Sequence, residues 1–155
     1  LKPVASSTSW GLSQPSIMIE QRYTIGHADY ANAGKVSSQI KSFLKQIGLD
    51  PTLLRRIAVA CYEAEINMII HSYGGEINLC FDETGLDLTF KDIGPGIPDL
   101  EKAMTPGWST ANEKAREFGF GAGMGLTNIQ RMADRFELNS TQSGTTLHIA
   151  FKVNE

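Results

Sequence analysis

The stretch GEINLCFDETGLDLTFKDIGPGI, residues 75–97, decides the fold. Ile77, Leu79 and Phe81 alternate with polar residues, Asp82 to Gly85 carry turn chemistry, and Leu86, Leu88 and Phe90 alternate again. A period of two on both sides of a turn predicts a β-hairpin with one buried face. Its second strand runs directly into Asp92-Ile93-Gly94-Pro95-Gly96-Ile97. A carboxylate at the end of an apolar strand is costly unless it meets donors. The exocyclic amine of adenine is such a donor, whereas guanine presents a carbonyl there, so Asp92 is a candidate for selecting the base. Gly94 and Gly96 would let the backbone pass close under a flat ring.

Upstream of the hairpin the period changes to that of helices. Asp50 followed by Pro51 is a helix start, with a side-chain acceptor at the N-cap and a fixed φ at the first helical position. Leu53, Leu54, Ile57, Ala58, Cys61, Ala64, Met68 and Ile69 then form one broad apolar face as far as about His71. Glu63, Asn67 and His71 follow one another at i+4 on a separate line. A carboxylate and an amide one turn apart can face one cleft, the amide oxygen as a neutral hard ligand for Mg²⁺ and the carboxylate as a proton acceptor. Glu65 is turned away from that line by helical geometry. An earlier helix has Val36, Ile40, Phe43, Leu44 and Ile47 on one face and stops at Gly48. Before it, Ile17 to Ile25 reads as an edge strand, and Asp29 to Gly34 as the turn into the helix. Residues 1–16, rich in Ser and Pro and without period, read as a flexible tail.

Downstream, about 99–120 is mixed, with a short helix candidate at Leu100 to Met104. Its length suggests a lid in which Trp108, Lys114 and Arg116 are candidate contacts. Gly121-Ala-Gly123-Met-Gly125-Leu126-Thr127-Asn128 then opens a helix running to about Asp134, with Leu126, Ile129 and Ala133 facing inward. Glycines at a helix start expose backbone N–H groups and the positive end of the dipole to a polyphosphate. Two strands close the chain, Phe136 to Thr141 and Thr145 to Val153, and the Thr145 hydroxyl could reach a base through water. The order β, α, α, β, β, lid, α, β, β predicts an α/β (α+β) two-layer sandwich, a mixed sheet with helices on one face.

With 41% hydrophobic and 20% charged residues in 155, the chain has the composition of one ordinary domain, residues 17–155 after the tail. A formal charge of -3 excludes a general basic surface for nucleic acid or anionic lipid. No apolar run reaches the roughly 20 residues of a membrane span, and the first residues lack the order of a secretory signal, so a cytoplasmic protein is expected. Cys61 and Cys80 have no Cys or His at metal-ligand spacing and read as reduced thiols. Neither G-x-x-x-x-G-K-[ST] nor G-x-G-x-x-G occurs, so any nucleotide is bound by other means.

The succession E-x-x-x-N, D-x-G-x-G, G-x-G-x-G-L and G-T resembles the N, G1, G2 and G3 boxes of the GHKL superfamily. That superfamily includes gyrase, heat-shock chaperone, mismatch-repair and histidine-kinase ATPases and shares the Bergerat fold. The likeness spans roughly Ile17 to Val153. Within the class, PDLEKAMTPGWST (98–110) and GAGMGLTNIQRMADRFEL (121–138) are similar to the anti-sigma and stressosome-switch serine kinases. The resemblance implies ATP and Mg²⁺ as cofactors. It implies Glu63 as general base toward a partner's serine or threonine hydroxyl, Asn67 as the Mg²⁺ ligand, and His71 near the phosphates. Asp92 would take the adenine amine over Gly94 and Gly96, while Gly121, Gly123, Gly125 and Leu126 would wrap the triphosphate and Thr145 touch the base side. Expected partners are an antagonist-domain protein, a sigma factor or stressosome component, and a second copy in a homodimer. The function so implied is an anti-sigma-type serine/threonine kinase acting on a partner-switching antagonist. Two alternatives remain: an ATP-dependent binding module without turnover, or the catalytic fragment of a histidine kinase. The second lacks a dimerising phosphoacceptor helix in this sequence.

Overall fold

The computed structural model describes residues 2–6, 16–97, 102, 104, 105 and 125–153. Six strands form one sheet: β1 (Lys2–Ser6), β2 (Ser16–Ile25), β3 (Gly75–Phe81), β4 (Gly85–Asp92), β5 (Arg135–Thr141) and β6 (Gly144–Lys152). Among the described residues the α-helices are α1 (Lys35–Gln46), α2 (Pro51–His71) and α3 (Gly125–Met132), with a 3₁₀ turn at Tyr30–Asn32. The lid expected at about 99–120, with Trp108, Lys114 and Arg116, lies outside the described residues apart from 102, 104 and 105.

Strand order is β1-β2-β3-β4-β6-β5, and every neighbouring pair is antiparallel. The two-layer α/β arrangement is the expected one, but the sheet is antiparallel throughout rather than mixed. Two helices between β2 and β3 return the chain antiparallel to its start. The stretch between β4 and β5, whose described helix is α3, leaves those strands pointing the same way, but β6 inserts between them and removes the parallel contact. The tail also differs from expectation: Lys2–Ser6 pairs with β2, Lys2 opposite Glu20 and Ser6 opposite Ser16. Proline at position 3 hides this strand from a propensity reading, yet an edge strand is where a sheet tolerates it. As a result β2, read as an edge, is an interior strand.

Registers across the sheet put alternate residues on one face. Ile77 is opposite Phe90, Leu88 opposite Ile149, and Leu138 opposite Leu147. These residues and Leu79, Leu86 and Phe151 meet α2 and its neighbours in a single core. The other face carries Arg22, Glu76, Asp87, His148 and Glu137. Cys61 is buried in the core and Cys80 half-buried on the polar face, both free thiols.

Local chemistry fixes the helix ends. The Asp50 carboxylate accepts the Thr52 and Leu53 N–H groups at 3.1 Å, the N-cap expected before Pro51. Gly48 has φ +86°, the left-handed residue that ends α1. Ile47, placed by periodicity on the buried face, is exposed, because the chain has already left the helix there. Helix α2 is the centre of the helical layer, packing against α1, α3, β2 and β4.

Candidate functional site

Glu63, Asn67 and His71 lie at the border between the buried face of α2 and solvent, each partly exposed. The first turn of α3 is seated on this line. A Cβ added to Gly125 would stand 3.1 Å from Asn67 Oδ1, 3.2 Å from its Nδ2 and 3.3 Å from Glu63 Oε2. Only hydrogen leaves both side chains undisturbed at that approach. Three residues on along α3 stands Asn128, whose side chain bears on the Glu63 carboxyl. Thr127 donates from its hydroxyl to the Met104 carbonyl at 3.2 Å, tying α3 to the segment before it. At the other end of α3, the Arg56 guanidinium of α2 donates to the Met132 carbonyl at 3.0 and 2.7 Å and to Asp134 at 3.1 Å. One helix is therefore fastened across α2 at both ends.

Burial pushes the Glu63 carboxyl above its ordinary range, and the Asn128 side chain partly offsets this. Burial lowers His71, which favours the neutral imidazole. A carboxylate raised in this way is a better proton acceptor near neutral pH than a solvated one.

A second cluster forms where β4 leaves the sheet. Asp92 Oδ1 accepts the Thr145 N–H at 2.8 Å, and its other oxygen takes no hydrogen bond from a described residue. Burial raises this carboxyl, and the Thr145 N–H draws it back in part. The loop after Asp92 is stitched to the β5–β6 turn: Gly94 N–H donates to the Ser143 carbonyl at 2.6 Å, and Ile97 N–H donates to Ser140 Oγ at 2.6 Å. Ser140 Oγ in turn lies 2.8 Å from Thr145 Oγ1, so the Thr145 hydroxyl expected to face a base is engaged within the protein. Gly96 has φ +84°, and a Cβ there would collide with the Thr141 carbonyl. The glycines of this loop thus allow two backbones to meet, a constraint the string D-x-G-x-G did not disclose.

The two clusters are joined by the exit of α2. Ser72 caps the helix through its hydroxyl to the Met68 carbonyl at 2.6 Å, and Gly75 pairs with Asp92. Tyr73 N–H donates to the Ile93 carbonyl at 3.1 Å, and Ile93 N–H to the Gly74 carbonyl at 3.0 Å. Asn67 and Asp92 therefore sit on elements tied end to end. Leu126 packs against the core from α3, while Gly121 and Gly123 lie outside the described residues. Sequence reasoning quoted Asn128 without assigning it a role. Its signal was its place one turn after Gly125, which points it back at whatever Gly125 touches. Glu65, turned away from Glu63 as helical geometry required, caps the N-terminus of α1 by accepting from Gly34, Val36 and Ser37 N–H groups.

The model of the histidine kinase-like ATPase domain matches residues 26–151 of this chain. Among curated proteins, the anti-sigma F factor of Bacillus licheniformis is 37% identical over 119 residues, covering 71% of this chain and 77% of that protein. The anti-sigma F factors of Bacillus cytotoxicus and Bacillus thuringiensis are each 35% identical with the same coverage. The helix line of Glu63 and Asn67, the Asp92 loop and the α3 start occupy one matched region, and the chain belongs to the histidine kinase-like ATPase family, ATP-binding domains of the GHKL class.

Proposed function

We propose that this chain is a Mg-ATP-dependent serine/threonine protein kinase of the anti-sigma type, acting on an antagonist protein in a partner-switching circuit. The observation that carries the proposal is the seating of Gly125 on Glu63 and Asn67. That contact brings the expected base, the expected metal ligand and the opening of the glycine-led helix together. The residues fit the cofactors. Asp92 retains an acceptor oxygen in a half-buried setting suited to an amine donor. Among the described residues no cluster of three or more His, Cys, Asp or Glu could hold an ion by itself. A Mg²⁺ ligated by the Asn67 amide and by phosphate oxygens needs no such cluster.

Bound Mg-ATP supplies an activated phosphoryl group whose transfer depends chiefly on positioning and charge neutralisation. The protein's share is then specific. Asp92 accepts the adenine amine, and Thr145 holds Asp92 in place through its backbone N–H. Asn67 would hold the Mg²⁺ ion through its amide oxygen. Glu63, raised by burial, takes the proton from a partner's serine or threonine hydroxyl. His71, one turn beyond Asn67 on α2, would stand near the phosphates as a neutral imidazole. Gly121, Gly123, Gly125 and Leu126 would wrap the triphosphate.

The relatives' name, anti-sigma F factor, supports a sigma factor as a second partner, and a stressosome component and a homodimer belong to the same proposal. No described helix is long and apolar enough to cross a membrane, in keeping with action in the cytoplasm. The same name favours a second reading, in which ATP sets the conformation of a module that holds a sigma factor without turnover.

Titration calorimetry with Mg-ATP tests the site. Asp92→Asn should weaken binding roughly tenfold to a hundredfold, the cost of an unmet buried donor; unchanged affinity removes the adenine assignment. Glu63→Ala should keep ATP but stop transfer of labelled phosphate to an antagonist encoded beside this gene. Wild-type protein that binds ATP and transfers nothing would favour the binding module.

A further inference from the structure

We infer that Ser140 is a positioning residue that sets base specificity: its hydroxyl turns the Thr145 hydroxyl into a hydrogen-bond donor toward N1 of adenine, beside the acceptor offered by Asp92. The inference deepens the nucleotide-binding part of the proposed function and rests on the Asp92 assignment. Its ground is a chain of hydrogen bonds linking three segments. Ser140 on β5 and Thr145 on β6 are register partners, and their hydroxyl oxygens lie 2.8 Å apart. Ser140 Oγ also accepts the Ile97 N–H at 2.6 Å, from the loop that follows Asp92. The Thr145 N–H in turn donates to Asp92 Oδ1 at 2.8 Å. Asp92 shares the parity of Leu88 and Phe90 on β4, and Thr145 that of Leu147 and Ile149 on β6, so both stand on the face of the sheet that the helices cover.

The direction of these bonds follows from counting hydrogens. A serine hydroxyl has one hydrogen to give and lone pairs with which to accept. Accepting the Ile97 N–H polarises the Ser140 hydroxyl toward donating, and Thr145 Oγ1 is the acceptor within reach. Were Thr145 the donor, the Ser140 hydrogen would have no acceptor among the described residues. Thr145, having accepted, keeps its own hydrogen. The residue is 8% exposed, so little water competes for that hydrogen. The site then offers an acceptor on Asp92 and a donor on Thr145, and adenine presents the matching pair, an amine at C6 and a bare nitrogen at N1. A water between Thr145 and N1 would carry the same polarity. Guanine presents a carbonyl and an N–H in those places and is mismatched at both. Asp92 alone reads one position of the base; with Ser140 behind Thr145 the protein reads two.

Calorimetry on the full chain with three nucleotides tests the inference: Mg-ATP, its 1-deaza analogue, in which N1 is a C–H group, and purine riboside triphosphate, which lacks the C6 amine. Wild type should bind Mg-ATP on the order of tenfold more tightly than the 1-deaza analogue, the loss of one hydrogen bond. Thr145→Val removes the hydroxyl and spares the N–H on Asp92, and should bring that ratio to about twofold or less. Ser140→Ala should reduce the ratio likewise, and Ser140→Thr, which keeps a hydroxyl, should restore it. In a Thr145→Val background Ser140→Ala should leave the ratio where it is. If Ser140→Ala weakens both nucleotides equally, the residue only fastens the loop and the inference is overturned. A full ratio in Thr145→Val overturns it as well, which keeps the test decisive should Ser140→Ala fold poorly. Purine riboside triphosphate bound as tightly as Mg-ATP would instead sink the Asp92 assignment, a result read from a different nucleotide than the Ser140 ratio. Wild-type protein that bound none of the three would end both.

Discussion

Glu63 and Glu65 are two residues apart on one helix and do opposite work. Glu65 is 1% exposed and accepts three N–H groups at the start of α1, which have no partner within that helix. Glu65→Ala should therefore cost about 2–3 kcal/mol, read as a lower urea midpoint with little change in Mg-ATP affinity. Glu63 and Asp92 are half-buried carboxyls raised by that burial. A folded-state pKa above the unfolded value means the folded chain holds the proton more tightly. The stability from that preference is complete below the unfolded carboxylate pKa and is lost as pH rises through the folded one. Asp92→Asn, which keeps an acceptor for Thr145 N–H, is thus expected to raise the melting temperature at pH 7 while weakening ATP binding. The gain should disappear as pH falls toward the ordinary aspartate value of 3.8. A variant no more stable than wild type at pH 7 would contradict this. The opposing directions of the two glutamates were readable from 100° of turn per residue. What Glu65 faces was not readable, since its partners come from a helix start some thirty positions earlier.

Elements whose signals are local were legible. The hairpin announced itself by alternation on either side of Asp82 to Gly85, and α2 by Asp50-Pro51. Elements defined by a distant partner were not. Lys2–Ser6 becomes a strand only because β2 offers an edge, and nothing periodic in KPVAS says so. Helix α3 shows the same dependence from the other side. It is short, and its C-terminal carbonyl is satisfied by Arg56 from α2 rather than by a glycine cap. Arg56→Ala should then release the end of α3 at a cost of about 1 kcal/mol. The Met132 carbonyl contacts carry most of this, because the pair with Asp134 is partly solvated. Faster amide exchange confined to 129–134 is the expected signature; exchange that rises equally across the core would point to general loosening instead.

Across the whole molecule, the site depends on two loops meeting that are nearly fifty residues apart in sequence. The β4 exit and the β5–β6 turn are held backbone to backbone at Gly94, Gly96 and Gly144. Gly96→Ala must strain a positive φ and also push back the Thr141 carbonyl. The backbone strain alone costs on the order of 1–3 kcal/mol. Both melting temperature and Mg-ATP affinity should fall together; loss of one with the other intact would separate the loop from the site. Sequence order foretold helices over a sheet but not that β6 sits inside it, because pairing order is not written in any local pattern. That insertion has a consequence during synthesis. Translation delivers chains N-terminus first, so on the ribosome β4 and β5 wait with open edges, and Asp92 waits for the N–H of Thr145. Until residues 144–152 have emerged, the nascent chain has its sheet divided in two and the proposed purine contact unsupported, and those bare edges are the surfaces a ribosome-associated chaperone would have reason to cover.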